Sequence, residues 1–210
     1  MIIDLNFFIV ISIATGFLVG VEVCKRKFSL SSSITRRISH IGAALIAAVA
    51  PVFLEKNLFI IACLGFAIFM FISRKHSLFL SIHNVNRSTL GEVFLPLGEA
   101  LSAAIFLPHS LLAFQFGVLV MGFADAFAGF VGDKYGTHQV RVFGARKSVE
   151  GSFVFFLTTL FLTISFASSF SLSLFLVPIV LTFTELFLGY GTDNLAIPAV
   201  GSFMLILLNV

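Results

Sequence analysis

The stretch SLLAFQFGVLVMGFADAFAGFV, residues 110–131, decides how the whole chain is interpreted. It is apolar over the ~20 residues that a helix needs to cross a bilayer, yet it contains one carboxylate, Asp125. An ionisable group at the centre of a membrane helix costs about 2.5–3.5 kcal/mol on insertion scales, so it needs a partner or a function. The stretch therefore predicts a membrane helix that carries a functional acid.

The composition of the chain also predicts a membrane protein. Of its 210 residues, 59% are hydrophobic and 11% are charged, whereas soluble domains contain roughly 25% charged residues. A soluble core cannot bury so much apolar surface in so short a chain. These values exclude a secreted enzyme, a cytosolic globular protein, a disordered chain and a nucleic-acid-binding protein. The net charge of +3 then mainly sets orientation in the membrane.

Charges, prolines and glycines divide the chain into eight apolar segments of about bilayer-spanning length. We expect a single all-α integral membrane domain, a polytopic bundle of about 7–8 transmembrane helices, because no room remains for a soluble domain. The last segment is short and contains Pro198, so a broken or half-buried helix is an alternative there. The segments are residues 2–23, 38–54, 57–72, 92–107, 110–131, 149–168, 170–189 and 195–208.

Basic residues are concentrated after the first, third and fifth segments. Cytoplasmic loops carry the excess of Lys and Arg in membrane proteins. The pattern therefore predicts an extracytoplasmic N-terminus and cytoplasmic polar loops, in the cell membrane of a prokaryote or an ER-type membrane of a eukaryote. The basic residues are Lys25, Arg26, Lys27, Arg36, Arg37, Arg74, Lys75, Arg87, Lys134, Arg141, Arg146 and Lys147.

Two glycines on the first segment form a Gly-x-x-x-Gly pair, Gly16 and Gly20. Such pairs let membrane helices approach closely. The pair predicts either a homodimer face or inward packing within the chain.

Small residues accompany Asp125 on its helix face. Ala128, Gly129 and Gly132 follow it at helical spacing, which predicts a groove from the acid towards the cytoplasm. Ordinary close helix packing would explain the glycines, but it would not explain the acid.

Other acids lie in or beside the apolar segments. Glu92 and Glu99 are seven residues apart and so share one helix face, Glu185 lies near the end of the seventh segment, and Asp193-Asn194 precedes the last. All of these residues except Glu99 fall near the cytoplasmic ends of their segments. Mg²⁺ is usually held by one or two carboxylates together with substrate phosphates, so this arrangement indicates Mg²⁺–phosphate chemistry.

Basic residues at the same ends support that interpretation. Arg36, Arg37 and His40 lie within helical reach of one another at the start of the second segment, although His40 could equally be a hydrogen-bonded interfacial histidine. The sixth segment begins with Arg146-Lys147-Ser148-Val-Glu150-Gly151. Ser148 is a plausible N-cap, and a helix N-terminus beside two cations suits a polyphosphate. Membrane anchoring would explain the cations but not Glu150.

Several of these motifs together resemble the CTP-using membrane enzymes, namely the polyprenol, phytol and diacylglycerol kinases and the phosphatidate cytidylyltransferases. The most specific element is KSVEGS at 147–152, which follows DAFAGFVGDKYG at 125–136. RRISH at 36–40, GEVFLPLG at 91–98, and Glu185 with GTDNLAIP at 191–198 are similar to elements of the kinase branch. The cytidylyltransferases generally end in a different Gly-rich and Asp-rich pattern.

The resemblance implies CTP-dependent, Mg²⁺-assisted phosphorylation of a lipid alcohol such as a polyprenol, phytol or diacylglycerol. It implies Asp125, Lys147, Glu150 and Glu185 as catalytic residues and Asp125 and Glu150 as metal ligands. Asp133 ranks below Asp125, because its position is often basic or small in relatives. The implied nucleotide-binding residues are Arg141, Arg146, Lys147, Ser148, Glu150 and Gly151. The implied polar chamber for the lipid contains Arg37, His40, Glu92, Glu99, Asp193 and Asn194.

Two other functions stay open at this point. A cytidylyltransferase would make a CDP-lipid from a lipid phosphate, although its usual ending is missing. An ion-coupled transporter would use Asp125, Glu99 and Glu185, although the paired broken helices typical of inverted repeats are not found.

Overall fold

The computed structural model describes residues 5–76, 78–83, 89–142 and 145–208, and the described chain is mainly helical. A helical bundle is formed, so the predicted all-α class is confirmed. The helices are α1 (Leu5–Phe28), α2 (Ser32–Val49), α3 (Lys56–Lys75), α4 (Leu80–His83), α5 (Gly91–Phe106), α6 (Leu111–Tyr135), α7 (Val149–Phe166), α8 (Leu176–Phe187) and α9 (Asp193–Leu207).

Several short elements were not among the predicted segments, including helix α4. The strands β1 (Gln139–Val142) and β2 (Ala145–Ser148) form an antiparallel hairpin between α6 and α7, which the hydropathy pattern did not indicate because the hairpin is polar. Short 3₁₀ turns at Ala50–Val52 and Leu172–Phe175 occupy the end of the second predicted segment and the start of the seventh. Helix α9 continues through Pro198, so the broken-helix alternative is not observed.

Within the part of the chain that the structure describes, four helices are long and apolar enough to cross a membrane: α1, α3, α6 and α7. The outer surface suits lipid, since large apolar side chains such as Phe161 and Leu112 are 68% and 62% exposed. The chain is therefore a membrane protein, while the eight predicted passes and their direction stay predictions.

Helix α6 is the centre of the bundle and packs against α2, α7 and α9. Its glycines allow this close packing. A Cβ at Gly117 would lie 2.1 Å from the Pro198 carbonyl oxygen, and one at Gly122 would lie 2.2 Å from the Ala44 Cβ. Glycines of α6 therefore pack neighbouring helices closely against it, while the small residues beside Asp125 line a cavity that is described below.

The polar ends of the helices meet at one end of the bundle. We call it the basin end, after the polar cavity that opens there and is described below. Ion pairs join the end of α3 to the start of α5 (Arg74 with Glu92), and the start of α2 to the end of α6 (Arg37 with Asp133). Of the Lys and Arg residues in the described ranges, all except Lys56 lie on the helix ends or the hairpin at this end. Arg87 lies outside the described residues.

Candidate active site

A polar cavity of about 780 Å³ opens at the basin end, and we call it the polar basin. Its volume lies within the roughly 300–1,000 Å³ of small-molecule sites. Its walls include parts of α2, α6, α7, α8 and α9, the hairpin and the segment 188–192. Its lining includes the predicted residues Arg36, Arg37, His40, Asp125, Ala128, Gly129, Gly132, Asp133, Arg146, Lys147, Ser148, Gly151, Glu185, Asp193 and Asn194.

Lys147 is held at the centre of an acidic group in the basin. Its Nζ lies 2.5 Å from Glu185 Oε1 and 3.1 Å from Asp193 Oδ2. Burial lowers the pKa of Lys147, but the negative charges of Glu185 and Asp193 outweigh burial and keep the pKa above its ordinary value. Asp125 is a third acid whose charge acts on Lys147 in the same direction. Acids from three separate helices therefore converge on one lysine.

Asp125 is the most accessible of these three acids. Its side chain is 29% exposed, compared with 6% for Glu185 and 11% for Asp193. The Nδ1 atom of His40 lies 3.6 Å from Asp125 Oδ2, beyond hydrogen-bond distance. Of the three acids, Asp125 is therefore the best placed to meet a molecule in the basin.

The start of α7 gives the basin an anion-binding element. Ser148 caps the helix, as predicted, and its hydroxyl accepts a hydrogen bond from the Gly151 N–H at 3.1 Å. Gly132 packs against this cap, because a Cβ there would lie 2.8 Å from Ser148 Oγ. Unpaired N–H groups and the helix dipole favour anions at such a terminus. Arg146 precedes it on β2 and is held by Gln139.

Arg37 and Asp133 form a pair at the rim of the basin. The Arg37 Nη2 donates to Asp133 Oδ2 at 2.7 Å, and the Ser33 hydroxyl donates to the same oxygen at 2.8 Å. The guanidinium also lies against Gly129, where a Cβ would be 2.8 Å from Nη2. Asp133 therefore joins α6 to α2.

Four predicted site residues do not line the basin. The Glu150 carboxylate accepts hydrogen bonds from the Thr137 hydroxyl at 2.6 Å and the His138 N–H at 3.1 Å, so it fixes the base of the hairpin. Arg141 lies exposed on β1 opposite Arg146. Glu92 pairs with Arg74, and both Glu92 and Glu99 line a separate apolar cavity.

Asn194 lines the basin and also connects two helices. Its amide Nδ2 donates to the Gly91 carbonyl at 2.7 Å, joining α9 to α5. Gly191 lies against the backbone of Gly91, where a Cβ would be 2.5 Å from the nitrogen, and its φ of +94° favours glycine.

Sequence reasoning missed Tyr190 and Gln139, which also line the basin. Tyr190 immediately precedes the GTDNLAIP motif, and its φ of 57° is unusual for a non-glycine residue. The glycine at 191 could have indicated a tight turn that includes Tyr190. No sequence pattern indicated Gln139, because its position in the basin depends on the pairing of the two hairpin strands.

The described residues contain no group of three or more His, Cys, Asp or Glu side chains arranged to hold a metal ion. A Mg²⁺ ion that accompanies a nucleotide needs only one or two protein carboxylates, since phosphates and waters supply its other ligands. Asp125, with Asp193 or Glu185, offers such a set in the same basin. The residues present therefore fit a nucleotide-bound Mg²⁺, and they do not form a complete protein cage.

Comparison with known proteins adds an independent observation. The chain is 29% identical over 211 positions to a phytol kinase of Synechocystis sp., and the match covers 92% of this chain and 89% of the relative. This chain is related to a phytol kinase. The predicted relationship to the lipid kinases is thereby confirmed. No known family model and no solved structure matches the chain.

Proposed function

We propose that this chain is a CTP-dependent kinase that phosphorylates a membrane lipid alcohol, using Mg²⁺, at the cytoplasmic face. The observation that carries the proposal is the convergence of Asp125, Glu185 and Asp193 around Lys147 in a basin with basic walls. The similarity to a phytol kinase supports a lipid alcohol as acceptor. CTP as donor is supported by the resemblance of residues 147–152 and 191–198 to CTP-using enzymes.

The basin provides what phosphoryl transfer needs, which is charge stabilisation and in-line positioning rather than covalent chemistry. Arg36, Arg37 and Arg146 line its walls and would bind the nucleotide phosphates together with the N-terminus of α7. Lys147 would contribute a fixed positive charge. A bound Mg²⁺, held by Asp125 with Asp193 or Glu185, would neutralise charge on the phosphates.

The lipid hydroxyl needs a group that accepts its proton. Asp125 fits this role, through the carboxylate oxygen that would not bind Mg²⁺, because it is the most accessible carboxylate of the three and lies next to His40. A general base must come within hydrogen-bond reach of the proton that it removes. His40 lines both the basin and a separate apolar cavity, so a lipid head group could meet Asp125 there.

The orientation proposed from the basic loops accords with the distribution of charge in the fold. The basin end holds nearly all described cations, and the positive-inside rule assigns that end to the cytoplasm, where nucleotides are available. The N-terminus then lies outside.

The test is an assay of the purified protein with γ-labelled CTP, Mg²⁺ and separate lipids: phytol, farnesol, a polyprenol and diacylglycerol. Label should appear in a lipid phosphate, and Lys147→Ala should abolish it. Lys134→Ala is the matched control, because Lys134 is exposed on α6 and does not line the basin. Pyrophosphate release with α-label entering the lipid would instead indicate a cytidylyltransferase. No transfer by a folded protein to any of the lipids would refute the kinase.

A further inference from the structure

A second cavity lies between α1, α2, α3 and α5 and is almost entirely apolar. It is small, about 110 Å³, compared with about 780 Å³ for the polar basin. Its walls include Ala14 and Phe17 of α1, Ala47 of α2, and Cys63 and Phe66 of α3. A small cavity with this apolar lining suits part of a hydrocarbon chain.

Four buried polar atoms, on three side chains that line this cavity, have no hydrogen-bond partner in the described chain. The unpartnered atoms are Ser39 Oγ, both ring nitrogens of His40, and Glu99 Oε1. These residues are only 5%, 5% and 6% exposed. Leaving a buried polar atom unsatisfied is costly, so Ser39 and His40 together indicate that a ligand with a polar group binds beside them.

The apolar cavity adjoins the polar basin at one residue. His40 lines both cavities, and its Nδ1 lies 3.6 Å from Asp125 in the basin. An amphiphile could therefore place its chain in the apolar cavity and its polar end beside the proposed catalytic carboxylate.

The outer wall of the cavity is helix α1, which lies at the periphery of the bundle. Only 17% of the most apolar 18-residue stretch of α1 is buried inside the bundle, so most of this helix faces the surroundings. The ring of Phe17 lies against Gly42 of α2, where a Cβ would be 2.0 Å from the ring. Lipid in the bilayer is thus separated from the cavity by one helix.

We infer that this apolar cavity binds the hydrocarbon chain of the lipid alcohol, with the hydroxyl at Ser39 and His40 and the chain passing Glu99. The inference rests on the proposed function for the identity of the ligand as a substrate. Glu92 pairs with Arg74 at the basin end of α5, and Glu99 lies seven residues later, about 10 Å deeper along the helix. Glu99 therefore lies well away from the reacting hydroxyl.

Photo-crosslinking tests the inference without requiring turnover. The intact protein, in detergent and without nucleotide, is irradiated with hexadecanol that carries a diazirine near the middle of its chain, and the adducts are mapped by mass spectrometry. Adducts are expected at Cys63, Phe66 and Met70, which line the cavity, and excess unlabelled phytol should suppress them. Adducts confined to the outer surface would overturn the inference.

A matched pair of variants on α1 adds a second readout. Ala14→Phe fills the cavity and should remove most of the cavity adducts, whereas Ile13→Phe should not, because Ile13 is 55% exposed and does not line the cavity. In the kinase assay Ala14→Phe should raise KM for the lipid by about tenfold and leave KM for CTP unchanged. Unchanged labelling of a folded Ala14→Phe protein would overturn the inference, and if that variant does not fold, the phytol competition on the wild-type chain decides. Cavity labelling without any turnover would refute only the proposed function.

Discussion

The Nζ of Lys147 lies 2.5 Å from Glu185 Oε1, and this contact joins the residue before the N-cap of α7 to the end of α8. Asp193 Oδ2 at the start of α9 lies 3.1 Å from the same nitrogen. One lysine therefore ties together three elements of the basin, which gives it a structural role in addition to the proposed catalytic one.

Replacing Lys147 separates these two roles. Lys147→Met should lower the free energy of unfolding by about 3–5 kcal/mol, because it leaves buried carboxylates without their cation. Lys147→Met combined with Glu185→Leu should recover part of that stability, since fewer unpaired charges remain. Neither protein should phosphorylate a lipid. Thermal unfolding in detergent measures the stability, and an active double variant would remove both residues from the site.

Asp125 and Asp133 form a matched pair of acids on α6. Asp125→Asn should lower kcat by about 10²–10³, the loss typical of removing one group that stabilises a transition state. Asp133→Asn should change kcat only slightly, and stability by no more than about 1 kcal/mol, because its carboxylate is 47% exposed and pairs with Arg37 at the rim. Steady-state rates of both variants check the prediction. Equal losses would show that the two acids act together.

Glu150 should behave as a positioning residue for the hairpin. Its carboxylate accepts hydrogen bonds from Thr137 and His138, and Lys147 lies on the hairpin's second strand. Glu150→Gln should therefore raise KM for CTP by about tenfold or less, with a smaller effect on kcat than Asp125→Asn has. Measured dependence of the rate on CTP and on Mg²⁺ concentration tests this. A large fall in kcat that excess Mg²⁺ restores would support the metal role that the sequence motif implies.

Glycine positions should differ sharply in their tolerance of alanine. Gly117→Ala should destabilise the fold by about 1–3 kcal/mol, because its Cβ would overlap the backbone of α9. Gly16→Ala should be neutral or stabilise α1 by about 0.5–1 kcal/mol, since nothing lies within 4 Å of its Cβ position. Unfolding of the two variants in the same detergent provides the comparison.

The same open face allows a test of the predicted homodimer. Gly16 and Gly20 do not pack inward, because neither has an atom of the described chain within 4 Å of its Cβ position. If the pair forms a dimer face, Gly16→Leu should shift the protein towards monomer in cross-linking experiments. If Gly16→Leu causes no shift, the dimer prediction is wrong and this face contacts lipid instead.

Orientation in the membrane can be read from cysteine accessibility. In a background lacking Cys24 and Cys63, Lys134→Cys should react with an impermeant maleimide only after the cytoplasmic side is exposed. Lys56→Cys, at the opposite end of the bundle, should react from outside. The reverse pattern would place the basin outside and contradict the proposed use of cytoplasmic CTP.

Much of the fold and part of the site were accessible from sequence, because apolar runs interrupted by charges identify membrane helices directly. Asp125, Lys147, Glu185 and Asp193 were predicted to meet at one end, since each lies at the same end of its apolar segment. The structure brings these residues together in one basin.

The remaining features depend on pairings that no local pattern encodes. The hydrogen bonds of Glu150 depend on the hairpin, whose strands are short and polar. The partner of Glu92 is Arg74, on another helix. Glu92 and Glu99 do share a helix face as their spacing predicts, but that face lines the apolar cavity, a result that required the positions of α1, α2 and α3.

The glycine contacts of α9 have a consequence for motion. Gly98 of α5 and Gly117 of α6 bring two neighbouring backbones directly against α9, and a Cβ at either position would lie 2.3 Å or less from a carbonyl oxygen of α9. Close backbone contacts of this kind oppose sliding of α9, so Asp193 is held firmly against α5 and α6. Any rearrangement of the basin around a bound molecule is therefore expected in the hairpin rather than in α9.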